Sequence, residues 1–153
     1  MKKDVAGVSK RKSPGPEEVA FVDLVRTADL LSRGPAQVIR QGDLSANQYN
    51  VLRILRGSPE GLPCGEIACR MITRDPDITR LLDRLEKRGL ISRWREPKDR
   101  RVVMARITAE GLKVLARLDE PMGEVHRKQL GHLGKEGLRA LTDLLATARA
   151  KVS

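Results

Sequence analysis

Between Trp94 and Met104 the sequence reads WREPKDRRVVM, so Arg95, Lys98, Arg100 and Arg101 share one short turn with Glu96 and Asp99. Cations at that density repel one another unless something negative lies nearby, and phosphate is the partner that guanidinium and ammonium groups hold best. A second basic set lies upstream in DPDITRLLDRLEKRGL. There Ile78, Leu81, Leu82 and Leu85 fall on one face at i, i+3, i+4 and i+7, while Arg80, Asp83, Arg84 and Lys87 fall on the other. Taken alone, that outer face is an ordinary solvated surface laced by ion pairs; beside a basic turn it reads as a phosphate-facing surface. Asp83 is the exception, since it repels phosphate, and the spacing lets it pair with Lys87.

Motifs for covalent chemistry are missing. No glycine-rich phosphate loop, nucleophile elbow or His-Glu zinc motif occurs, so neither an enzyme nor a cofactor is expected. Cys64 and Cys69 are five apart, about 140° around a helix, and cannot easily hold one metal or each other. His126 and His132 are six apart near glycines with no carboxylate pattern, so no metal site is expected. Cys64 lies near an expected helix N-terminus that could lower its thiol pKa. A cysteine-oxidation sensor therefore stands as an alternative to an ordinary small helix residue.

The whole chain carries 30 Lys and Arg against 20 Asp and Glu over 153 residues, a net charge of +10. That excess favours a polyanionic partner. Residues 70–101 hold eleven of the cations and six of the acids, so the excess concentrates where the two basic sets lie. Phe21, Tyr49 and Trp94 are the only aromatic residues, which disfavours single-stranded nucleic acid and its stacked bases relative to a duplex. No apolar run has membrane-spanning length and the N-terminus has no apolar core of a signal peptide; two cysteines make no disulfide framework. A cytoplasmic protein with no membrane partner is expected.

Positioning these groups requires a defined order of elements. Residues 1–16 are basic, aperiodic and rich in Pro, Gly and Ser, and read as a flexible tail. A helix is expected from Pro16, with Glu17 and Glu18 in its first turn and Val19, Val22, Val25 and Ala28 on one side. "RGP" at Arg33–Pro35 should break or kink it, leaving a short second helix to Gly42. Ser45 and Gln48 have capping-box spacing, with Leu44 and Tyr49 as a staple, for a helix to Arg56 that buries Tyr49, Leu52 and Leu55. A further helix follows Pro63, with Ile67, Ala68 and Met71 inward. Asp75 is the expected cap of the basic helix and Pro76 its first-turn proline. Gly89 is placed for a left-handed cap with Leu90 against Leu85. LISRWRE and RVVMARIT read as strands of a hairpin joined through PKDR. Thr108 caps a long helix through Leu112, Leu115 and Leu118. After Pro121 and the glycines near His132 comes a last helix with Leu138, Leu141, Leu144 and Leu145 on one side.

This order predicts a mainly α fold with a small β-hairpin wing: a winged helix-turn-helix core plus N- and C-terminal helices. Its basic helix can enter a major groove and its hairpin can reach the backbone or the neighbouring minor groove. LSANQYNVLRIL, DITRLLDRLEKRGLISR and KDRRVVMARITAEG, in that order and spacing, resemble the multiple-antibiotic-resistance regulator (MarR) family over roughly residues 20 to 150. The resemblance implies a homodimer in which residues 17–42 and 109–153 form the helical dimerisation region and residues 43–108 the DNA-binding domain. It implies a repressor role on a pseudo-palindromic double-stranded DNA operator, with release by a small aromatic or anionic effector or by cysteine oxidation. Carried over by position, the recognition helix covers Asp75 to Arg88, with Asp77, Thr79, Arg80 and Arg84 toward the groove. The family's Asp-x-Arg wing motif falls on Asp99, which orients the turn, and Arg101, which enters the minor groove. Lys87, Lys98 and Arg100 complete the expected DNA-binding set. A winged module that docks structured RNA or protein is the reading from another class, and competition with duplex DNA separates the two.

Overall fold

Helix α1 begins at Pro16 as expected but runs on to Gln41, straight through the segment expected to break it. The computed structural model describes residues 13–152, so most of the expected basic tail lies outside the described residues. Pro35 removes one backbone donor from the helix, a local penalty that favourable packing can override. The packing is visible at the neighbouring Gly34, where a Cβ would lie 2.8 Å from Val125 and 2.9 Å from Gln129. Close approach there buries Val38 and Ile39 one turn further on. "RGP" is thus a contact point rather than a helix end.

The described residues divide into two compact units between Ser32 and Arg33. The first is the opening part of α1, whose Val19, Phe21, Val22, Leu24, Val25 and Leu30 are all exposed; Phe21 is 65% accessible.

The second unit holds α2 (Ala46–Arg56), β1 (Leu62–Pro63), α3 (Cys64–Arg70), α4 (Ile78–Lys87), β2 (Ile91–Arg95), β3 (Val103–Ile107), α5 (Ala109–Leu130), a 3-10 turn and α6 (Gly134–Ala150). The capping box forms in full: Gln48 N–H donates to Ser45 Oγ at 3.1 Å and Ser45 N–H to Gln48 Oε1 at 3.0 Å. Leu52, Leu55, Ile67, Leu82, Leu85, Ile91 and Leu115 are fully buried, and among the described residues no polar or charged residue is buried with them. Each such side chain contributes roughly 1.5–3 kcal/mol on leaving water. Tyr49 is only half-buried; Val51 takes the inward place beside Leu52.

The sheet is antiparallel with order β1-β3-β2. Arg93 lies opposite Ala105 and Arg95 opposite Val103, so β2 and β3 pair as the hairpin anticipated. β1 is an unanticipated third strand: Leu62 and Pro63 pair with Ala105 and Met104. Two residues, one of them proline, carry no alternation to read, and proline is tolerated at such an edge.

Gly89 has φ +70, with Gly89 N–H donating to Glu86 O and Leu90 N–H to Leu85 O at 2.9 and 3.1 Å. This paired closure ends α4 and leads directly into β2. Thr108 returns from the far end of the hairpin: its hydroxyl donates to Gly89 O at 2.6 Å and accepts from Gly111 N–H at 3.1 Å. Helix α5 then continues past Pro121 to Leu130, correcting the expected interruption. Its inward positions are Val114, Leu115, Leu118 and Met122, whereas Leu112 is 42% exposed. In α6, Leu138, Leu141 and Leu145 are half-buried and Leu144 is 70% exposed.

Gly111 tests how tightly α5 joins the hairpin base. A Cβ there would lie 2.4 Å from Leu90 O and 2.7 Å from Ile107 Cγ1, while one at Gly65 would meet nothing within 4 Å. Urea denaturation at one fixed protein concentration should find Gly111→Ala less stable by about 1–3 kcal/mol, as overpacking against backbone requires. Gly65→Ala should be neutral or stabilising. Equal effects at the two glycines would contradict this packing.

Candidate nucleic-acid interface

Helix α4 is capped by Asp77 rather than Asp75. Asp77 Oδ1 accepts from Arg80 N–H at 3.1 Å. Asp75 instead folds the chain before the helix: Oδ1 accepts from Asp77 N–H at 2.8 Å and Oδ2 from Asn47 Nδ2 at 2.7 Å. An aspartate whose carboxylate serves the backbone two residues on makes a turn, which delays the helix to Ile78 and leaves Pro76 outside it. Asp77 therefore stands beside the exposed Thr79 and Arg80 with one carboxylate oxygen engaged by its own helix. An open groove of about 670 Å³ lies between the start of α2 and α4, lined by Ser45, Gln48, Arg80 and Arg84 among others.

Asp83 does not pair with Lys87. It accepts from Arg93 Nη2 on β2, which also donates to Glu86 Oε1 at 3.0 Å, while Arg93 backbone N–H donates to Glu86 Oε2 at 2.9 Å. A partner across the turn already desolvated against the helix outcompetes a flexible surface lysine one turn away: Arg93's side chain is only 19% exposed. Hydrogen bonding to Glu86, with desolvation opposing and Asp83 adding to it, raises the Arg93 pKa, so the guanidinium stays charged. Arg93 Nε is buried with no hydrogen-bond partner among the described residues. One guanidinium thereby engages both carboxylates of α4 and offsets one of their two negative charges.

At the wing, Asp99 Oδ1 accepts from Arg101 N–H at 3.1 Å and Asp99 O from Val102 N–H at 2.9 Å. Arg95 Nη1 donates to Arg100 O at 2.8 Å across the same turn. Trp94 packs over Gly61 and lies under the Arg106 guanidinium, 5.4 Å from the ring centre. The result is a braced tip from which Lys98, Arg100 and Arg101 project exposed. These three, with Arg80, Arg84 and Lys87, make no ion pair among the described residues. Six uncompensated cations on one helix and one hairpin form a surface for a polyanion.

Cys64 corrects an expectation. It is half-buried against the core, and burial pushes its thiol pKa up despite the nearby Arg93, so its position at the start of α3 yields no activated thiolate. Cys69 is exposed. Among the described residues no cluster of three or more His, Cys, Asp or Glu side chains could hold a metal ion, and no helix is long and apolar enough to cross a membrane.

A second cavity, about 380 Å³, lies between the later half of α1, α2, the segment before α4 and α5. Ile39 and Met122 supply apolar walls, and Tyr49, Asn50, Arg53 and His126 the polar ones. Arg53 Nη1 donates to the Tyr49 hydroxyl at 3.2 Å, and Asn50 Oδ1 accepts from Ile72 N–H at 2.7 Å. Sequence reasoning named none of these as cavity residues. The one available signal, polar side chains at positions 50 and 53 beside the buried Val51 and Leu52, has no meaning until α1 and α5 are placed over it.

Fold and surface together define a winged helix-turn-helix protein, and residues 44–103 match the MarR family. PecS, an HTH-type transcriptional regulator of Dickeya dadantii (strain 3937), is 31% identical over 124 residues, 80% of this chain and 75% of that protein. The transcriptional repressor CouR, solved on a 23-mer DNA duplex, superposes with a TM-score of 0.77 at 30% identity, covering 92% of this chain and 99% of CouR. NadR in complex with 4-hydroxyphenylacetate superposes at 0.71 with 27% identity, covering 97% of each chain. This chain belongs to the MarR family of winged-helix transcriptional regulators.

The thiols give a direct check on the local electrostatics. In Cys64→Ser and Cys69→Ser proteins at neutral pH, a disulfide reagent such as dithionitrobenzoate should modify the remaining Cys69 faster than the remaining Cys64. The Cys64 rate should go on rising with pH beyond the ordinary thiol range before it levels, because its protonated form is favoured. Faster modification of Cys64 at neutral pH would contradict the effect of its burial.

Proposed function

We propose that the chain is a transcriptional repressor that binds a pseudo-palindromic DNA duplex as a homodimer and is released by a small phenolic or otherwise aromatic anion. The observation that carries the DNA reading is the set of six unpaired cations on α4 and the wing, beside two α4 carboxylates already engaged by Arg93. Arg80 and Arg84, with Thr79, face a major groove. Arg101 enters the minor groove, and Lys87, Lys98 and Arg100 hold phosphates. Asp77 and Asp99 act on the backbone that aims these groups. CouR's complex with a duplex supports the same use of this fold.

A second copy is the proposed cover for the apolar face of α1, where Val19, Phe21, Val22 and Val25 lie exposed, with residues 109–153 completing the dimer. Two-fold symmetry then requires two half-sites about one helical turn, ~10 bp, apart. The effector site is the 380 Å³ cavity, within the range of small-ligand pockets, with Arg53 for the anionic group and apolar walls for a ring. The complex of NadR with 4-hydroxyphenylacetate supports that ligand class. Such a ligand weakens DNA binding only by favouring a conformation in which the recognition helices are misplaced.

Titrations against a selected duplex and a scrambled one at several salt concentrations test the assignment. Arg101→Ala should weaken binding to both and reduce the salt slope by about one unit. Arg84→Ala or Arg80→Ala should cost about 1–3 kcal/mol and relax preference at one base position per half-site. Asp99→Ala should resemble a milder Arg101 loss. An unchanged slope and affinity in Arg101→Ala would leave the wing a solvated hairpin, and a folded monomer at micromolar concentration in sedimentation would remove the dimer.

The effector is tested separately. 4-Hydroxyphenylacetate should raise the melting temperature of the free protein and lower its duplex affinity, and Arg53→Ala should abolish both effects. If a panel of phenolic carboxylates changes neither in the wild type, this mode of release is wrong.

A further inference from the structure

In the segment between α3 and α4, Met71 packs against the core, but from Ile72 to Pro76 little apolar contact holds the chain. Ile72 is 89% exposed, and Thr73, Arg74 and Pro76 are exposed as well. Two side chains of α2 hold it instead. Asn50 Oδ1 accepts from Ile72 N–H at 2.7 Å, and Asn47 Nδ2 donates to Asp75 Oδ2 at 2.7 Å. From Asp75 the connection continues without a gap: Asp77 N–H donates to Asp75 Oδ1 at 2.8 Å, and Arg80 N–H to Asp77 Oδ1 at 3.1 Å. Asn47 and Asn50 also both line the 380 Å³ cavity.

We propose that Asn47 and Asn50 are positioning residues that couple occupancy of this cavity to the first turn of α4. The inference rests on the reading of the cavity as an effector site and of α4 as the DNA-reading helix. The two asparagines are three apart, so they share one face of a helix fixed at its start by the capping box. Their end of the connection is rigid and the far end is not. Asn50 uses its oxygen on Ile72, and its amide donors have no protein partner among the described residues. An anion seated beside Arg53 attracts those donors. Turning the amide toward it carries Oδ1 away from Ile72, because the two groups share one planar end. The segment then loses an anchor, and Asp75, which holds the α4 cap in place, loses its fixed position. A hydrogen-bonded segment with few packing contacts is the element whose local equilibrium a ligand can bias.

Amide exchange measured by NMR on the full chain tests this without any ligand. Asn47→Ala and Asn50→Ala should each accelerate exchange at Asp77 and Arg80 by about fivefold or more, with α2 and α5 amides and the urea midpoint little changed. Unchanged Arg80 exchange in both variants overturns the coupling, as does uniform acceleration across α2 and α5, which is the signature of a merely structural role. The second arm uses 4-hydroxyphenylacetate as the probe, with binding followed by calorimetry and duplex affinity by titration. In the wild type it should lower duplex affinity; in Asn50→Ala, at probe concentrations set by calorimetry to give the same occupancy as in the wild type, it should lower affinity much less. An equal drop in the wild type and both variants overturns the proposal. If the probe does not bind the wild type, the phenolic-anion reading fails for that ligand, while the exchange arm still decides the coupling.

Discussion

One guanidinium sets the geometry on which the proposed interface depends. Arg93 sits in the middle of β2 and joins two carboxylates of α4, so the strand that carries the wing and the helix that carries Arg80 and Arg84 are bound through a shared charge cluster. One nitrogen, Nη2, reaches both side-chain acceptors while the strand N–H reaches a third oxygen. The same contact offsets one of the two negative charges on a face otherwise dominated by cations. Positioning and electrostatics are therefore one interaction. Its unsatisfied, buried Nε is a cost that the surrounding hydrogen bonds offset.

The other constraints on α4 work at its ends. Its start is held through Asp75 by Asn47, and its finish by Arg88 Nη1, which donates to Asp43 O at 2.6 Å in the turn before α2. Leu81, Leu82 and Leu85 fill the core beneath it. Arg56 and Asp119 make a two-fold contact between α2 and α5 at 2.8 and 3.0 Å. Helix α2 is thus the reference element: it carries the cavity wall on one side and the anchors of α4 on another. An all-apolar core suits this arrangement, because specificity of position comes from polar contacts around its edge.

Two surfaces remain that the single chain does not satisfy. The cations of α4 and the wing lack partners, and the apolar side chains of early α1 face solvent. Charge repulsion on the first and apolar exposure on the second are both relieved by association, with a duplex and with a second copy respectively, in the function proposed.

What the sequence determined by itself lay mostly within about one helical turn. The Asp99 turn came with the resemblance to the family's wing motif; the Ser45–Gln48 box, the Gly89 closure and the Thr108 cap each involve neighbours three to five residues apart, and each was legible from residue type and spacing. So were the apolar stripe of α4, the hairpin and the two basic sets, which sufficed for the family. Tertiary structure decided the rest, because the deciding partners are distant. Gly34 and Pro35 stay helical because α5 packs on them, and Asp75 makes a turn because Asn47, 28 residues earlier, takes its other oxygen. Asp83 chose Arg93 across a turn over Lys87 along the helix. The cavity between α1, α2 and α5 exists only once three helices converge, so no local pattern could have announced Asn50, Arg53 or His126. Local hydrogen bonds are fixed by spacing along the chain; competition among partners is fixed by which side chains the fold brings together.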